Sequence, residues 1–198
     1  MSEWWTYRLS DFLMFSPRIY WRLVERYNGE IWPAQLLAAG AGLLLLKLAA
    51  TRSTAAARVT AALLAAAWLW VGWAFFWQRY ATINWAASYF AFAFWLEALL
   101  LVVLGTWQRG PRERAHSSGV RALGWALAAV GLLFYPLAGP VAGRPWTQAE
   151  VFGVMPDPTA LATVGLLLTG SPPHAGWLGV VPVLSLMVGM PTLWMLST

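Results

Sequence analysis

Apolar residues run along this chain in long blocks separated by short polar stretches. Several blocks approach or exceed the roughly 20 residues with which a helix crosses a hydrocarbon core. The pattern predicts spans near residues 31–50, 59–77, 84–107, 122–138, 146–169 and 177–196. The first has Pro33 in its first turn, Gly40 and Gly42 for close packing, and Lys47 near its end, placed to snorkel. The second carries no charge and grows dense in tryptophan toward its end. The expected fold class is therefore all-α, a polytopic transmembrane helix bundle of about six spans.

Residues 1–30 depart from the blocks. Arg8, Asp11, Arg18, Arg22, Glu25, Arg26 and Glu30 interleave there with Trp4, Trp5, Phe12, Phe15, Ile19, Tyr20, Trp21 and Leu23. Such mixing predicts an amphipathic arm lying in the membrane interface, residues 1–30, ahead of a bundle over 31–198.

The fifth block is broken at 156–158. In Met155-Pro156-Asp157-Pro158-Thr159 two prolines flank a carboxylate. Proline cannot donate to a helix ladder and pushes its predecessor out of the α region. A helix is thus expected to end near Met155 and another to begin at Pro158, with Asp157 as its N-cap. Counted from Trp146, the span is long enough and Asp157 lies near mid-membrane. Counted from Pro158, the remaining helix is roughly 17 Å, short of a core of about 30 Å, and Asp157 caps it from the surface. Both readings stand at this point.

Composition supports the bilayer as solvent. Charged residues make up 11% of the 198, against about 25% in soluble domains. The net charge of +5 is spread between apolar blocks, as topology signals are, so no nucleic acid is expected. Lys47, Arg52 and Arg58 border the first connection, and Arg109, Arg112, Arg114 and Arg121 the third. The second and fourth hold Arg79 and Arg144. The positive-inside rule puts the first and third connections in the cytoplasm and both termini outside, although the N-terminal arm carries arginines of its own. The lack of cysteine excludes disulfides and thiolate chemistry. No basic stretch followed by an apolar run opens the chain, so no secretory signal is expected.

Three acids are candidates for chemistry. Glu97 is the charged residue well inside the third span, where ionisable groups face a bundle or a cavity. It is a candidate proton carrier, or else a structural carboxyl paired with an arginine or an indole N–H. Asp157 sits at the break, where helix ends can bind ions or polar solutes. Glu150 precedes it by seven residues, so the two would share a face of an unbroken helix. Hard-cation sites need more oxygen ligands than appear nearby, so no metal is assigned. His116 and His174 fall in loops, against haem or zinc, and no cofactor is expected. No phosphate loop or nucleophile triad is present and no catalytic residue is assigned. Trp70, Trp73 and Trp77 share a helical face, as aromatic lining or packing.

Three stretches carry a family resemblance: Tyr27-Asn28-Gly29-Glu30-Ile31-Trp32-Pro33-Ala34-Gln35, Ile83-Asn84-Trp85-Ala86-Ala87, and Glu150-Val151-Phe152-Gly153 leading to Pro156-Asp157-Pro158-Thr159. Together they resemble an uncharacterised family of bacterial multi-pass membrane proteins, domain of unknown function family 6064. Trp85 stands where that family's proline is expected. The resemblance implies a helical membrane fold in a bacterial cytoplasmic (inner) membrane and no activity. It adds Gln35 and Asn84 to Glu97, Glu150 and Asp157 as residues of a possible pathway.

The expected function is a small-solute or ion permease or channel with its polar site at the broken fifth span. The alternative is a non-catalytic accessory subunit of a larger membrane complex; a lipid-directed intramembrane enzyme is a third. The expected partners are the lipid bilayer and a second copy or membrane-complex subunits.

Overall fold

The computed structural model of the protein describes residues 15–51, 53–105, 117–170, 172 and 174–197. Among these the regular structure is helical, with no strand. The helices are α1 (Pro17–Glu30), α2 (Ala34–Ala50), α3 (Thr54–Thr82), α4 (Ala87–Gly105), α5 (Ser118–Val141), α6 (Pro156–Gly170) and α7 (Ala175–Leu196). The arm before residue 15 and the arginines at 109, 112 and 114 lie outside the described residues.

Helix α1 buries Tyr20, Val24, Tyr27 and Asn28 on one side and exposes Arg18, Arg22 and Arg26 on the other. Positions 20, 24 and 27 follow the i, i+4, i+7 spacing of one helical face. The chain then turns by 86° into α2. A sharp bend between an amphipathic helix and an apolar one suits a segment lying across the end of a bundle.

Four helices, α3, α4, α5 and α7, are long and apolar enough to cross a membrane. The bent pair of α1 and α2 makes a fifth if taken as one span. Helix α2 alone has 17 residues and α6 has 15, and at about 1.5 Å per residue α6 reaches only roughly 22 Å. Helices α3, α4 and α5 each contain a π-helical turn, at Val71–Trp77, Leu101–Gly105 and Val130–Phe134.

Short α6 is the centre of the bundle. Pro156 through Thr163 are all buried, and the burial continues through Gly165, Leu166 and Leu167. A helix apolar all round belongs in such a place. Helix α5 lies on it backbone to backbone. A Cβ added at Gly131 would come 2.6 Å from Ala162 N and 2.8 Å from Pro158 O, and one at Gly124 2.8 Å from Thr169 N. Small residues at i, i+4 and i+7 (Gly124, Ala128, Gly131) allow this approach. From α3 the buried Trp68 donates its indole N–H to Thr163 Oγ1 at 2.9 Å.

The break differs from the sequence expectation. No helix runs up to Met155: a single 3-10 turn spans Trp146–Gln148, and residues 149–155 form a buried connection. Helix α6 begins at Pro156, not Pro158, and Asp157 lies in its first turn rather than at the N-cap. The first N–H groups of a helix have no intrahelical acceptor, so prolines at the first and third positions both fit. A carboxylate between them is favoured by the helix dipole. Thr159 secures the junction: its Oγ1 donates to Met155 O at 2.7 Å and accepts the Gly153 N–H at 2.8 Å. Gly153 sits at φ +73°, which favours glycine.

Candidate functional site

Burying α6 takes Asp157 with it. The residue is 4% exposed, and no hydrogen bond or ion pair joins its side chain to the described residues. On one side α7 passes so close that a Cβ at Gly189 would overlap the carboxylate. On another the side chain borders a cavity of about 300 Å³. Its walls come from the start of α1 (Phe15, Tyr20), the end of α3 (Phe75, Phe76, Tyr80), the α3–α4 turn and α4 (Asn84, Phe90), and the far end of α7 (Ser185, Thr192). Tyr80 is the hub of the rings, with centroids 5.6 Å from Phe15, 5.9 Å from Tyr20 and 5.5 Å from Phe75.

Glu150 sits in the connection before α6 and is 3% exposed. Arg144 Nη2 lies 3.6 Å from its carboxylate, longer than the roughly 2.7–2.9 Å of a strong charge-assisted bond. The guanidinium also stacks 3.7 Å over the Trp21 ring of α1. Burial pushes the Glu150 carboxyl up to about 8; the nearby Asp157 charge adds to this and Arg144 opposes it. The ion pair is too loose to offset desolvation.

The connection is held from α1. Asn28 Nδ2 donates to Thr147 O and to Ala149 O, both at 2.9 Å. Tyr27 Oη donates to Val154 O at 3.3 Å and accepts the Trp70 indole N–H at 3.2 Å. Gln35, singled out from the sequence, donates from Nε2 to Asn28 O at 2.7 Å. It thus braces the clamp rather than lining the cavity.

The other candidates divide. Asn84 does line the cavity, and its Oδ1 accepts the Ala86 N–H at 3.0 Å, fixing the α3–α4 turn. Glu97 is fully buried, and neither oxygen has a hydrogen-bond partner among the described residues. It is not among the residues lining the Asp157 cavity. Trp70, Trp73 and Trp77 do share a face, but that face points outward, at 38%, 48% and 42% exposure. They pack on neighbours at the surface, with Trp77 against Phe92 and Trp95, and line no cavity around Asp157.

Sequence reasoning missed Tyr20, Tyr80 and Arg144. Tyr20 had a signal, the i, i+4, i+7 spacing with Val24 and Tyr27 that marks the inner face of α1. Arg144 had none, because a single arginine in a connection reads as a topology signal. The three stretches that carry the resemblance meet at one end of the bundle: the first holds the 147–154 connection, the second supplies Asn84, and the third supplies Glu150 and Asp157.

Compared with known proteins, residues 17–198 match the model of a family described as a family of unknown function (DUF6064). No curated protein and no solved structure matches the chain.

Proposed function

The chain belongs to that family of unknown function, and from its geometry we propose a membrane permease or channel for a small solute or ion, with Asp157 as the polar group of its path. The observation that carries this reading is a buried carboxylate with no partner among the described residues, beside a cavity at the start of a short central helix. An ionisable group in an apolar bundle is costly, and such groups mark pathways more often than they serve packing. Short helices whose ends lie inside the bundle are also a recurring way to build a solute site.

The reading extends to a bacterial inner membrane with both termini outside. It is supported by Lys47 and Arg58 near the first connection and Arg121 at the third. Helix α1, the α3–α4 turn and the end of α7 all contribute to one cavity, which fits both ends of the described chain lying on one side.

The test is flux into liposomes holding the full chain. Charge movement is recorded on gradients of sodium, potassium and ammonium, and swelling is recorded with glycerol. At least one probe should show protein-dependent flux that falls about tenfold or more in Asp157→Ala, as for loss of a desolvated polar contact. Equal flux in wild type and variant sinks the assignment.

A second reading, a subunit of a larger complex, starts from α7, most of which the rest of the described chain leaves uncovered. Native mass measurement after gentle extraction tests it. A monomer with no co-purifying protein counts against it.

A further inference from the structure

We propose that the cavity beside Asp157 is an aromatic cage for a small organic ammonium ion, of the methylated or quaternary kind. This deepens the permease reading and rests on it for transport, though not for binding. The walls hold six aromatic side chains, Phe15, Tyr20, Phe75, Phe76, Tyr80 and Phe90, and Asp157 as the acid; no lysine or arginine among the described residues lines them. Rings attract a cation through their electron-rich faces, and this attraction is strongest where water is excluded. A buried carboxylate then supplies the full counter-charge.

The same wall disfavours other guests. A bare metal cation needs about six oxygen ligands. The cavity offers Asp157 with the scattered oxygens of Asn84, Ser185, Thr192 and two tyrosines, and no cluster of three or more acids and histidines exists among the described residues. An anion would meet a carboxylate at close range. A neutral apolar guest would leave the carboxylate desolvated and unpaired. A methylated ammonium spreads its charge over C–H groups that hold water weakly and rest well on ring faces. The volume of about 300 Å³ stands at the low end of small-ligand sites.

Binding is measured by calorimetry on the full chain in nanodiscs, with tetramethylammonium, choline, and the uncharged choline isostere 3,3-dimethylbutan-1-ol. The two cations should bind and the isostere should not. Asp157→Asn should weaken choline on the order of 30-fold or more, as for a desolvated charge partner. Tyr80→Phe should keep affinity and Tyr80→Leu should lose about fivefold to thirtyfold, which separates the ring face from the hydroxyl. The Tyr80 pair decides the matter if Asp157→Asn does not fold. Equal binding of choline and its isostere overturns the proposal, as does competition by sodium or potassium at equal concentration, or no binding of either ammonium. Flux of another solute that depends on Asp157, without ammonium binding, overturns the cage and leaves the permease standing. Binding without flux does the reverse.

Discussion

Replacing Gly165 by alanine tests the packing that places Asp157. A Cβ at Gly165 would lie 2.8 Å from Ala128 Cα and from Gly124 O, and nearer still to Ala128 N. Ordinary contact begins near 3.4 Å, so α5 would have to retreat by about 0.6 Å even at the looser two atoms, where overpacking costs roughly 1–3 kcal/mol. The obstacles are backbone atoms, which cannot rotate aside, so the upper part of that range is expected. Gly40 in α2 is the control, because nothing lies within 4 Å of its added Cβ. There alanine should stabilise by about 0.5–1 kcal/mol through helix propensity. The two variants should therefore melt apart by roughly 5–16 °C, given about 2–4 °C per kcal/mol for a chain this size. The assay is thermal unfolding in one detergent, with Gly131→Ala as a repeat on the partner helix. Gly165→Ala melting together with Gly40→Ala would falsify the backbone contact between α5 and α6.

The clamp and the buried acid yield two more outcomes. Asn28→Asp cannot donate and would face two carbonyl oxygens, so it should cost about 2–4 kcal/mol and speed amide exchange across residues 147–155; unchanged exchange there contradicts the clamp. For Glu150, burial raises the folded carboxyl to about 8 from an unfolded value near 4.5, so folding takes up a proton between those values. The contribution is then fully present below about 4.5 and is lost as pH rises through about 8. Glu150→Gln should flatten this loss in a pH series of melting temperatures, and an unflattened curve refutes it.

The apolar blocks were legible as long helices because runs of that length and apolarity have few other regular forms, and the amphipathic face of α1 because Tyr20, Val24 and Tyr27 repeat at helical spacing. The start of α6 was not. Local rules allow a helix to begin at either proline in Pro156-Asp157-Pro158, and the choice is made by Thr159, which ties Met155 O and Gly153 N into the first turn. The share of α6 in the core was also hidden. A 15-residue apolar helix reads as a fragment of a span, and only Gly124, Gly131 and Gly165, spread over two helices, make it the axis of the bundle. Period gave the common face of Trp70, Trp73 and Trp77 correctly but not its direction, since an apolar face in a membrane can look toward protein or lipid with equal ease.

Glu97 provides the sharpest separation of packing from function. Its carboxyl is fully buried, and neither oxygen meets a hydrogen-bond partner among the described residues. Leaving a polar group so placed costs roughly 1–3 kcal/mol. Its neighbours along the buried face of α4 are Phe94, Ala98 and Leu101, a setting in which leucine at 97 would pack without that cost. Glu97→Leu should therefore raise the melting temperature, and Glu97→Gln should change it little, since an amide keeps the desolvated oxygen. On the permease reading, a carboxyl placed at such a cost serves the path, and stabilising changes at working sites tend to cost activity. The same Glu97→Leu protein should then show lowered flux in liposomes while melting later than wild type. A variant that melts earlier, by about 1 kcal/mol or more, means that the carboxyl packs better at this position than leucine does and refutes the reasoning. In that case Glu97 is a structural element of α4.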